Sequence, residues 1–241
     1  MAKVAKKKTE ARAKVDRDAL YSPADAVKLL KETSYANFDE AIEVHVRLGI
    51  DPRQADQAVR TTVSLPHGTG KSVTVLVFAE GEAERIAREA GADYAGSDEL
   101  IQRIQDGWVE FDAAIATADM MGKVGGLGRV LGRRGLMPNP RSGTVVRNIE
   151  DLAGVIGDLK GGRVEFRNDR LGIIHSVIGK KHFTEEQTTE NFLAFVDAVN
   201  RAKPSGVKGV YMKSLALSST MGPGIRVNIS EALAQASEVS N

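Results

Sequence analysis

The chain has 241 residues, of which 42% are hydrophobic and 27% charged, with a formal net charge of +1. This length allows one large domain or two of ordinary size, and the composition predicts packed cores rather than general disorder. There is no cysteine, which excludes disulfides and thiolate metal sites, and no apolar run approaches the roughly 20 residues that span a bilayer. The basic residues from Met1 to Lys14 lack the apolar segment of a secretory signal, so we expect a cytoplasmic protein.

The charges are segregated along the chain. A net charge of +1 argues against nucleic-acid binding, because such proteins are often strongly basic. However, six lysines and arginines crowd residues 3–14, whereas residues 80–99 are rich in acidic side chains. A near-neutral total therefore leaves room for local basic surfaces. No acidic residue occurs from Met120 to Ile149, a stretch that contains Lys123, Arg129, Arg133, Arg134, Arg141 and Arg147.

The first part of the chain predicts one helix and two strands. Ser22-Pro23 is the pattern of an N-cap and a first helical residue, and the helix is expected to end near Ser34. Apolar and polar residues then alternate from Ile42 to Ile50, as in a strand with one buried face. A second strand is predicted around residues 60–65. The proline and two glycines of residues 65–70 stop regular structure there and indicate a domain boundary.

The pattern changes in the middle of the chain. Residues 72–79 are apolar on both faces, as in a strand of a parallel sheet that helices cover on both sides. Helices and apolar strands then alternate, which predicts a small α/β domain. Its further elements are a helix from Glu82 to Ala90, a short strand near residues 93–95, a helix at residues 98–106 capped by Ser97, a strand at residues 111–116 and, after the glycine-rich basic stretch, a helix from Ile149 to Leu159.

Beyond Gly162 the pattern returns to that of the first part. Residues 164–167 and 173–178 predict a hairpin around Asn168-Asp169. An amphipathic helix is predicted at residues 184–202. A mixed α+β arrangement is expected here.

A last strand pair is predicted at residues 207–217 and 225–229, joined by the segment from Ser218 to Gly224. Because this end resembles the beginning of the chain, the simplest architecture is a split α+β domain formed by both chain ends, with an inserted Rossmann-like three-layer α/β domain. The predicted fold class is thus α/β and α+β. The expected domains are residues 1–66 with 162–241, and residues 67–161.

No catalytic, cofactor or metal site is predicted. Residues 68–72, Gly-Thr-Gly-Lys-Ser, resemble the end of a phosphate-binding loop, but Leu65 stands where that motif needs glycine, and a strand follows instead of a helix. A linker is the better interpretation. The glycines of residues 125–128 do not form a dinucleotide-binding pattern. The four histidines show no metal-ligand spacing, and no serine lies in a nucleophile elbow.

Three segments suggest contacts with RNA, each with a plain alternative. The arginines and glycines of residues 123–147 suit phosphate contacts, or form a mobile solvated loop. Arg167, Asn168 and their neighbours offer a guanidinium and an amide, or an ordinary polar turn. Residues 218–224 combine three hydroxyls with a methionine and two glycines, which suits ribose hydroxyls and a base face, or a decorated hairpin. Aromatic content of 5% disfavours a platform for single strands, so folded RNA is the expected target.

Specific strings of the sequence resemble the family of the large-subunit ribosomal protein called L-one, in its bacterial form. They occur along nearly the whole chain. They are Phe38-Asp39-Glu40, Glu43-Val44-His45, Leu48-Gly49-Ile50-Asp51-Pro52-Arg53, Val63-Ser64-Leu65-Pro66-His67-Gly68, Gly91-Ala92-Asp93, Gly135-Leu136-Met137-Pro138-Asn139-Pro140, Gly143-Thr144-Val145, Glu165-Phe166-Arg167-Asn168-Asp169 and Thr220-Met221-Gly222-Pro223.

The resemblance implies a non-enzymatic ribosomal protein that binds the mobile stalk of the large-subunit (23S) rRNA. It further implies help in releasing deacylated tRNA from the exit site, and repression of the protein's own operon through binding of its mRNA. No cofactor is implied. The positions that match the family's RNA-contact motifs are Phe38, Arg47, Arg167, Asn168, Ser218, Thr220, Met221, Gly222 and Pro223.

One position departs from the family's pattern. Arg133 stands where the family usually has proline before Arg134-Gly135, which changes the local geometry and adds positive charge. Two other functions remain open from the residues alone, a nucleotide-binding α/β enzyme and a general RNA chaperone.

Overall fold

The computed structural model describes residues 6–239, so Lys3 and the other residues outside this range lie outside the description. Nine α-helices and ten strands occur in this range, with short 3-10 turns between some of them. The helices are α1 (Lys6–Ala13), α2 (Pro23–Thr33), α3 (Glu82–Glu89), α4 (Asp98–Gln105), α5 (Met121–Val124), α6 (Gly128–Arg134), α7 (Leu152–Lys160), α8 (Glu185–Arg201) and α9 (Ile229–Val239). The strands are β1 (Ala41–Leu48), β2 (Arg60–Ser64), β3 (Val75–Phe78), β4 (Tyr94–Gly96), β5 (Ala113–Thr117), β6 (Val145–Val146), β7 (Arg163–Arg167), β8 (Ile173–Lys180), β9 (Met212–Ser219) and β10 (Ile225–Arg226).

The chain divides into two compact units, Met1–Gly70 with Val164–Asn241, and Lys71–Arg163. We call them the split unit and the inserted unit. The mixed architecture, with one antiparallel and one parallel sheet, confirms the predicted fold class. Whether the units are separate domains that end at residues 66 and 161 stays a prediction.

The split unit is built on an antiparallel sheet of order β10-β9-β1-β8. Its centre is β1, which pairs with β8 on one side and β9 on the other along nearly its whole length. The apolar side chains Ile42, Val44 and Val46 of β1 are fully buried, in a core to which α2, α8 and α9 contribute. The period-2 pattern is thus confirmed, and the side chains on the opposite face of the strand are partly or fully exposed.

The helix N-termini of the split unit follow the sequence signals. Ser22 caps α2 by accepting a hydrogen bond from the Asp25 backbone N–H, and Thr184 forms a full capping box with Gln187 at the start of α8. In the inserted unit, Ser97 precedes α4 but makes no side-chain capping hydrogen bond, which corrects that detail of the prediction.

A buried amide ties the chain crossing between the units to the split unit. Asn191 of α8 has no exposed surface. Its Nδ2 donates to the carbonyl oxygens of Gly68 and Ile178, both at 2.8 Å, and its Oδ1 accepts from the His67 backbone N–H at 3.0 Å. Three backbone groups that helices and sheets leave unpaired are therefore satisfied by one side chain.

The inserted unit has a parallel sheet of order β4-β3-β5-β6. Alternate residues of its central strands enter two separate cores, with Leu76 and Phe78 on one side and Val75 and Val77 on the other. Helices α4, α5 and α6 contribute to the first core, and α3 and α7 to the second. This confirms the prediction of a three-layer α/β unit from strands that are apolar on both faces.

The predicted hairpin around Asn168-Asp169 is wrong as a paired hairpin. Strand β7 pairs with β2 in a separate two-stranded sheet, and β8 pairs with β1. A single bridge between Asn168 and Ile174 joins the two strands. Two short apolar runs flanking a polar turn have the sequence of a hairpin, and only the distant partners of each strand decide otherwise.

Two further predictions need correction. The basic stretch from residue 123 to residue 147 is mostly ordered as α5, α6 and short turns, with β6 near its end, so it is not a mobile loop. Glycines lower helix propensity, but Val124, Leu127 and Leu131 are fully buried and their packing overrides it. In addition, the last predicted strand ends at Arg226, and Ile229 begins α9.

Replacing Asn191 tests the buried amide. Asn191→Ala leaves two carbonyls and one N–H without partners, so we expect the free energy of unfolding to fall by about 2 to 4 kcal/mol. Urea denaturation measures the loss. Asn200→Ala, an exposed asparagine on the same helix, is the matched control and should cost less than about 0.5 kcal/mol. Equal losses for the two variants would contradict the bracing role.

Candidate nucleic-acid interface

The open face of the split unit's sheet carries polar side chains along β1. Glu43, His45 and Arg47 alternate with the buried residues of the strand and therefore share this face. The cross-strand partners place Ser218 of β9 opposite Glu43 and His175 of β8 opposite His45. The face extends over about 20 Å from the start of β1 to Arg47, at about 3.4 Å per residue.

A tight turn closes one end of this face. The Gly222 backbone N–H donates to the Ser219 carbonyl at 3.1 Å, so Thr220 and Met221 occupy the centre of the turn. Gly222 packs closely there, because a Cβ would lie 2.5 Å from Ser219 Oγ and would force that hydroxyl to shift. The Met221 side chain is 47% exposed, which is unusual for a large apolar residue.

Hydrogen bonds fix the turn against the start of β1. Thr220 Oγ1 accepts from the Ala41 N–H at 3.0 Å, and the Thr220 N–H donates to the Ala41 carbonyl at 3.1 Å. Tyr35 Oη donates to the Met221 carbonyl at 3.0 Å. The segment that holds Phe38, itself 54% exposed, is thereby held next to the turn. Two of the predicted contact residues, Phe38 and Met221, are thus exposed apolar side chains on neighbouring segments.

The second group of predicted contact residues lies at the other end of β1. Arg47 is exposed and pairs across the sheet with Ile173, just after the turn that follows Arg167. Among the described residues, no carboxylate lies within ion-pair distance of Arg47 or Arg167. An open cavity of about 660 Å³ here is lined by Pro52, Arg167, Asn168, Asp169, Arg170 and His175.

Asn168 has a structural duty that the sequence did not reveal. Its Oδ1 accepts from the Val59 N–H at 2.7 Å and its Nδ2 donates to the Asp169 carbonyl at 2.9 Å. The amide therefore braces the turn, with at most its remaining lone pair and N–H available to a ligand. Asp169 closes the same turn by accepting from the Leu171 and Ile173 N–H groups, both at 2.8 Å.

Two histidines meet in the middle of the open face. The Nδ1 atoms of His45 and His175 are 2.8 Å apart, and His45 Nε2 lies 2.9 Å from Ser218 Oγ. Burial lowers the pKa of His45 from its usual 6.5, and positive charge on His175 lowers it further, while Glu43 acts in the opposite direction. His45 is therefore neutral at physiological pH.

Basic residues outside the predicted RNA-contact set lie beside the turn. A cavity of about 320 Å³ brings Arg12 and Arg17, from the N-terminal segment, to the Gly222–Gly224 backbone and to Arg226. All three arginines are exposed. Because these residues are far apart in the sequence, no local pattern indicates the grouping, and no sequence signal predicted α1, which carries Arg12.

The inserted unit carries a separate set of arginines. In Lys71–Arg163, each lysine and arginine outside residues 129–147 has a carboxylate partner, or in the case of Arg103 an aromatic one. Among the residues that the structure describes, the five arginines within residues 129–147 have no carboxylate or aromatic partner, and all five are exposed. These are Arg129, Arg133, Arg134, Arg141 and Arg147.

Helical spacing gives two of these arginines a common face. Arg129 and Arg133 are four residues apart on α6, and Gly132 lies between them on the same side. A Cβ added at Gly132, or at Gly125 and Gly126 one turn earlier, would meet nothing within 4 Å. The exposed side of this helical segment therefore consists of backbone and guanidinium groups, and we call it the arginine stripe.

The described residues give no support for other sites. Within residues 6–239, no group of three or more potential ligands is placed to hold a metal ion. No described helix is long and apolar enough to cross a membrane. Residues 68–72 lead into β3 rather than into a helix, as the linker interpretation requires. Lys71 forms an ion pair with Asp112 instead of standing free for a phosphate.

The fold and the surface define a two-unit scaffold protein, with a split α+β unit that presents an open polar sheet face and an inserted parallel α/β unit. Comparison with protein families then identifies the family to which this scaffold protein belongs. The sequence model described as "Ribosomal protein L1p/L10e family" matches residues 30–223, more than half of the chain. The chain belongs to this family, as the sequence resemblance indicated. It is a ribosomal protein and not an enzyme, so the alternative of a nucleotide-binding enzyme is wrong.

Curated relatives agree with this assignment. The protein named "Large ribosomal subunit protein uL1" from Thermomicrobium roseum is 60% identical over 236 residues, which cover 98% of each chain. The protein of the same name from Chloroflexus aurantiacus is 62% identical, over 95% of this chain and 96% of its own. That from Thermobifida fusca is 58% identical, over 89% and 90%.

The turn at Asp169 predicts a pH-dependent stability. Hydrogen bonds from Ile173 and Leu171 lower the pKa of Asp169 below its usual 3.8. Its charged form therefore stabilises the fold above about pH 4, and this contribution is lost as the pH falls through the lowered pKa. Asp169→Asn keeps the acceptor but not the charge, so we expect it to be less stable than wild type near neutral pH and equally stable in acid. Denaturant titrations across this range measure the difference, and a difference independent of pH would contradict the explanation.

Proposed function

We propose that the chain is a structural constituent of the large ribosomal subunit and binds the mobile stalk of the 23S rRNA through the open face of its split unit. The observation that carries this proposal is the arrangement along β1. Exposed Phe38 and Met221 lie at one end, and Arg47 and Arg167, which have no carboxylate partner in the described part of the chain, lie at the other. The names of the curated relatives place those proteins in the large ribosomal subunit, which supports that subunit as the assembly partner of this chain.

Each end of the face suits a different part of folded RNA. A methionine or phenylalanine side chain can lie on an unstacked base, and hydroxyl groups such as Ser218 can bond ribose 2′-OH groups. Arg47 and Arg167 suit phosphate oxygens because a guanidinium matches their geometry. Gly222 and Pro223 present backbone without long side chains, which permits close approach. A rigid surface with these groups about 20 Å apart favours one RNA shape over a generic strand.

Further roles follow from the same surface as proposals. We infer that the stalk-bound protein contacts exit-site tRNA and assists its release, and that the same face binds the mRNA of the protein's own operon and represses its translation. A messenger that reproduced the stalk's shape would compete for one site, so repression would begin only when rRNA is saturated. In this proposal the protein acts in the cytoplasm.

Met221 provides the sharpest test of the turn. Met221→Ala removes an exposed side chain that makes no hydrogen bond with any described residue, so the fold should be unaffected. Loss of one base contact is worth about 1 to 3 kcal/mol, so we expect the affinity for a stalk-helix RNA fragment to fall by about fivefold to 150-fold. Filter binding or fluorescence anisotropy measures Kd. Thr220→Ala is less informative alone, because Thr220 also anchors the turn to Ala41.

Two controls make the test specific. Val210→Ala trims another exposed apolar side chain of the split unit, 71% exposed, and should leave Kd unchanged. A scrambled hairpin should bind much more weakly than the stalk fragment to the wild type. Absence of any preference for the stalk fragment at physiological salt would reject the proposed function and favour a general RNA chaperone.

The arginine stripe adds a second expectation. Unpaired guanidinium groups on a bare helix face suit phosphates, and each phosphate contact contributes about 0.7 to 0.9 to the slope of log K against log salt. We expect the Arg129→Ala, Arg133→Ala double variant to weaken binding uniformly and to lower that slope by up to roughly 1.5. Arg85→Ala, which removes an arginine already paired with Glu82 and Glu89, is the control. An unchanged slope in the double variant would show that the stripe does not meet RNA.

A further inference from the structure

A line of polar groups crosses three neighbouring strands of the open face. Asp169 Oδ2 lies 3.6 Å from His175 Nε2, the two Nδ1 atoms of His175 and His45 are 2.8 Å apart, and His45 Nε2 lies 2.9 Å from Ser218 Oγ. The line therefore connects the turn beside Arg167 to the strand end beside Met221. It joins the two groups of candidate RNA contacts through two imidazole rings.

The short distance between the two Nδ1 atoms restricts where the protons of the two imidazole rings can lie. One Nδ1 must donate and the other accept, so exactly one proton lies between the rings. A neutral pair then has one more proton, on one of the two Nε2 atoms. The Asp169 carboxylate lies 3.6 Å from His175 Nε2, and the Glu43 carboxylate lies 3.9 Å from His45 Nε2. Placing this proton on His175, toward the Asp169 carboxylate, leaves His45 Nε2 bare, so that it accepts from the Ser218 hydroxyl.

Adding one proton to the pair reverses the bond at Ser218. Both Nε2 atoms then carry hydrogen, and one proton remains shared between the Nδ1 atoms. His45 Nε2 now donates to Ser218 Oγ, so the serine's own hydrogen turns outward. In the neutral pair Ser218 offers only lone pairs to a ligand, whereas in the protonated pair it offers a donor beside a positive charge. RNA phosphates and carbonyl groups accept hydrogen bonds, so they match the second state.

We propose that the His45–His175 pair is a positioning device that takes up one proton when RNA binds and thereby turns the Ser218 hydroxyl into a donor toward the RNA. The inference rests on the proposed function, because it assumes that the ligand is an RNA on this face. His45 and His175 act through Ser218, so both are positioning residues.

The groups around the pair fit this role. On β1, Glu43 and Arg47 flank His45 on the same face, and from β9 comes Ser218. Beside His175, Asp169 reaches in from the preceding turn, and Arg167 and Arg170 line the same cavity. Arg226 of β10 lies in register with His45, with Ala216 of β9 between them. These arginines oppose protonation of the pair in the free protein, and an RNA phosphate that binds them removes that opposition. The two carboxylates stabilise the added proton at the outer ends of the pair. Burial and His175 keep the pKa of His45 low in the free protein, so the pair remains poised to gain a proton when an anion arrives.

The experiment measures binding of the full chain to the stalk-helix RNA fragment from about pH 5.5 to pH 8. Linkage predicts that wild-type Kd falls by up to about tenfold per pH unit toward acid within the window where the pair titrates. His45→Gln keeps the strand pairing but cannot relay a proton, so its Kd should lose this pH dependence. His67→Gln, at a histidine that pairs with Glu190 away from the sheet, should keep it. Calorimetry in two buffers of different ionisation enthalpy should show uptake of about one proton by wild type and none by His45→Gln.

A second measurement needs no RNA and no variant. Nitrogen chemical shifts of the imidazole rings in the free protein should show, at neutral pH, a bare Nε2 on His45 and a protonated Nε2 on His175. Protonated Nε2 on His45 at neutral pH, or identical pH profiles for wild type and His45→Gln, would overturn the inference while leaving the proposed function standing. If wild type shows no preference for the stalk fragment at any pH, the proposed function fails instead, and the nitrogen shifts still decide whether the relay exists.

Discussion

The split unit depends on the two-sided pairing of β1. This strand bonds to β8 and β9 together, so its register is fixed twice, and a slip of one residue would exchange its two faces completely. Burial of Ile42, Val44 and Val46 under helices forbids that exchange. The same constraint that forms the core therefore orients Glu43, His45 and Arg47 outward. The surface we propose for RNA is the obligatory reverse side of the core.

The ends of that surface are held by side chains that do two things at once. Thr220 anchors the turn to β1, and Asn168 and Asp169 close the turn after β7. Because these turns are rigid, they present Met221 and Arg167 at a fixed separation. Binding of a ligand then costs less conformational entropy than it would if a loose loop of the protein had to become ordered. Thr220, Asn168 and Asp169 therefore matter for RNA binding even though their hydrogen bonds are made within the protein. They set the geometry, and their exposed neighbours supply the contacts.

Much of the fold was predictable from the sequence, because periodicity reports burial. The one-sided strand β1, the two-sided strand β3 and the capped helices α2 and α8 all follow local patterns. The failures share a cause as well. The partners of β7 and β8, the helices built over glycines near residue 128 and the grouping of Arg12 with Arg226 depend on distant residues, which no local pattern encodes. The candidate site residues were predicted by matching family motifs. That His45 faces His175 became known only from the register of the sheet.

The near-neutral net charge can now be reconciled with an RNA-binding role. In the inserted unit, the lysines and arginines outside residues 129–147 contact carboxylates or, for Arg103, the Trp108 ring, whereas no described residue forms an ion pair with the five arginines of that stretch. Short-range ion pairs neutralise each other, and at physiological salt charges more than about 8 Å away are largely screened. A phosphate at the arginine stripe therefore experiences the local guanidinium groups rather than the total of +1. For a protein of this kind, the count of unpartnered cations on each surface is the quantity that bears on RNA affinity, and the net charge is not.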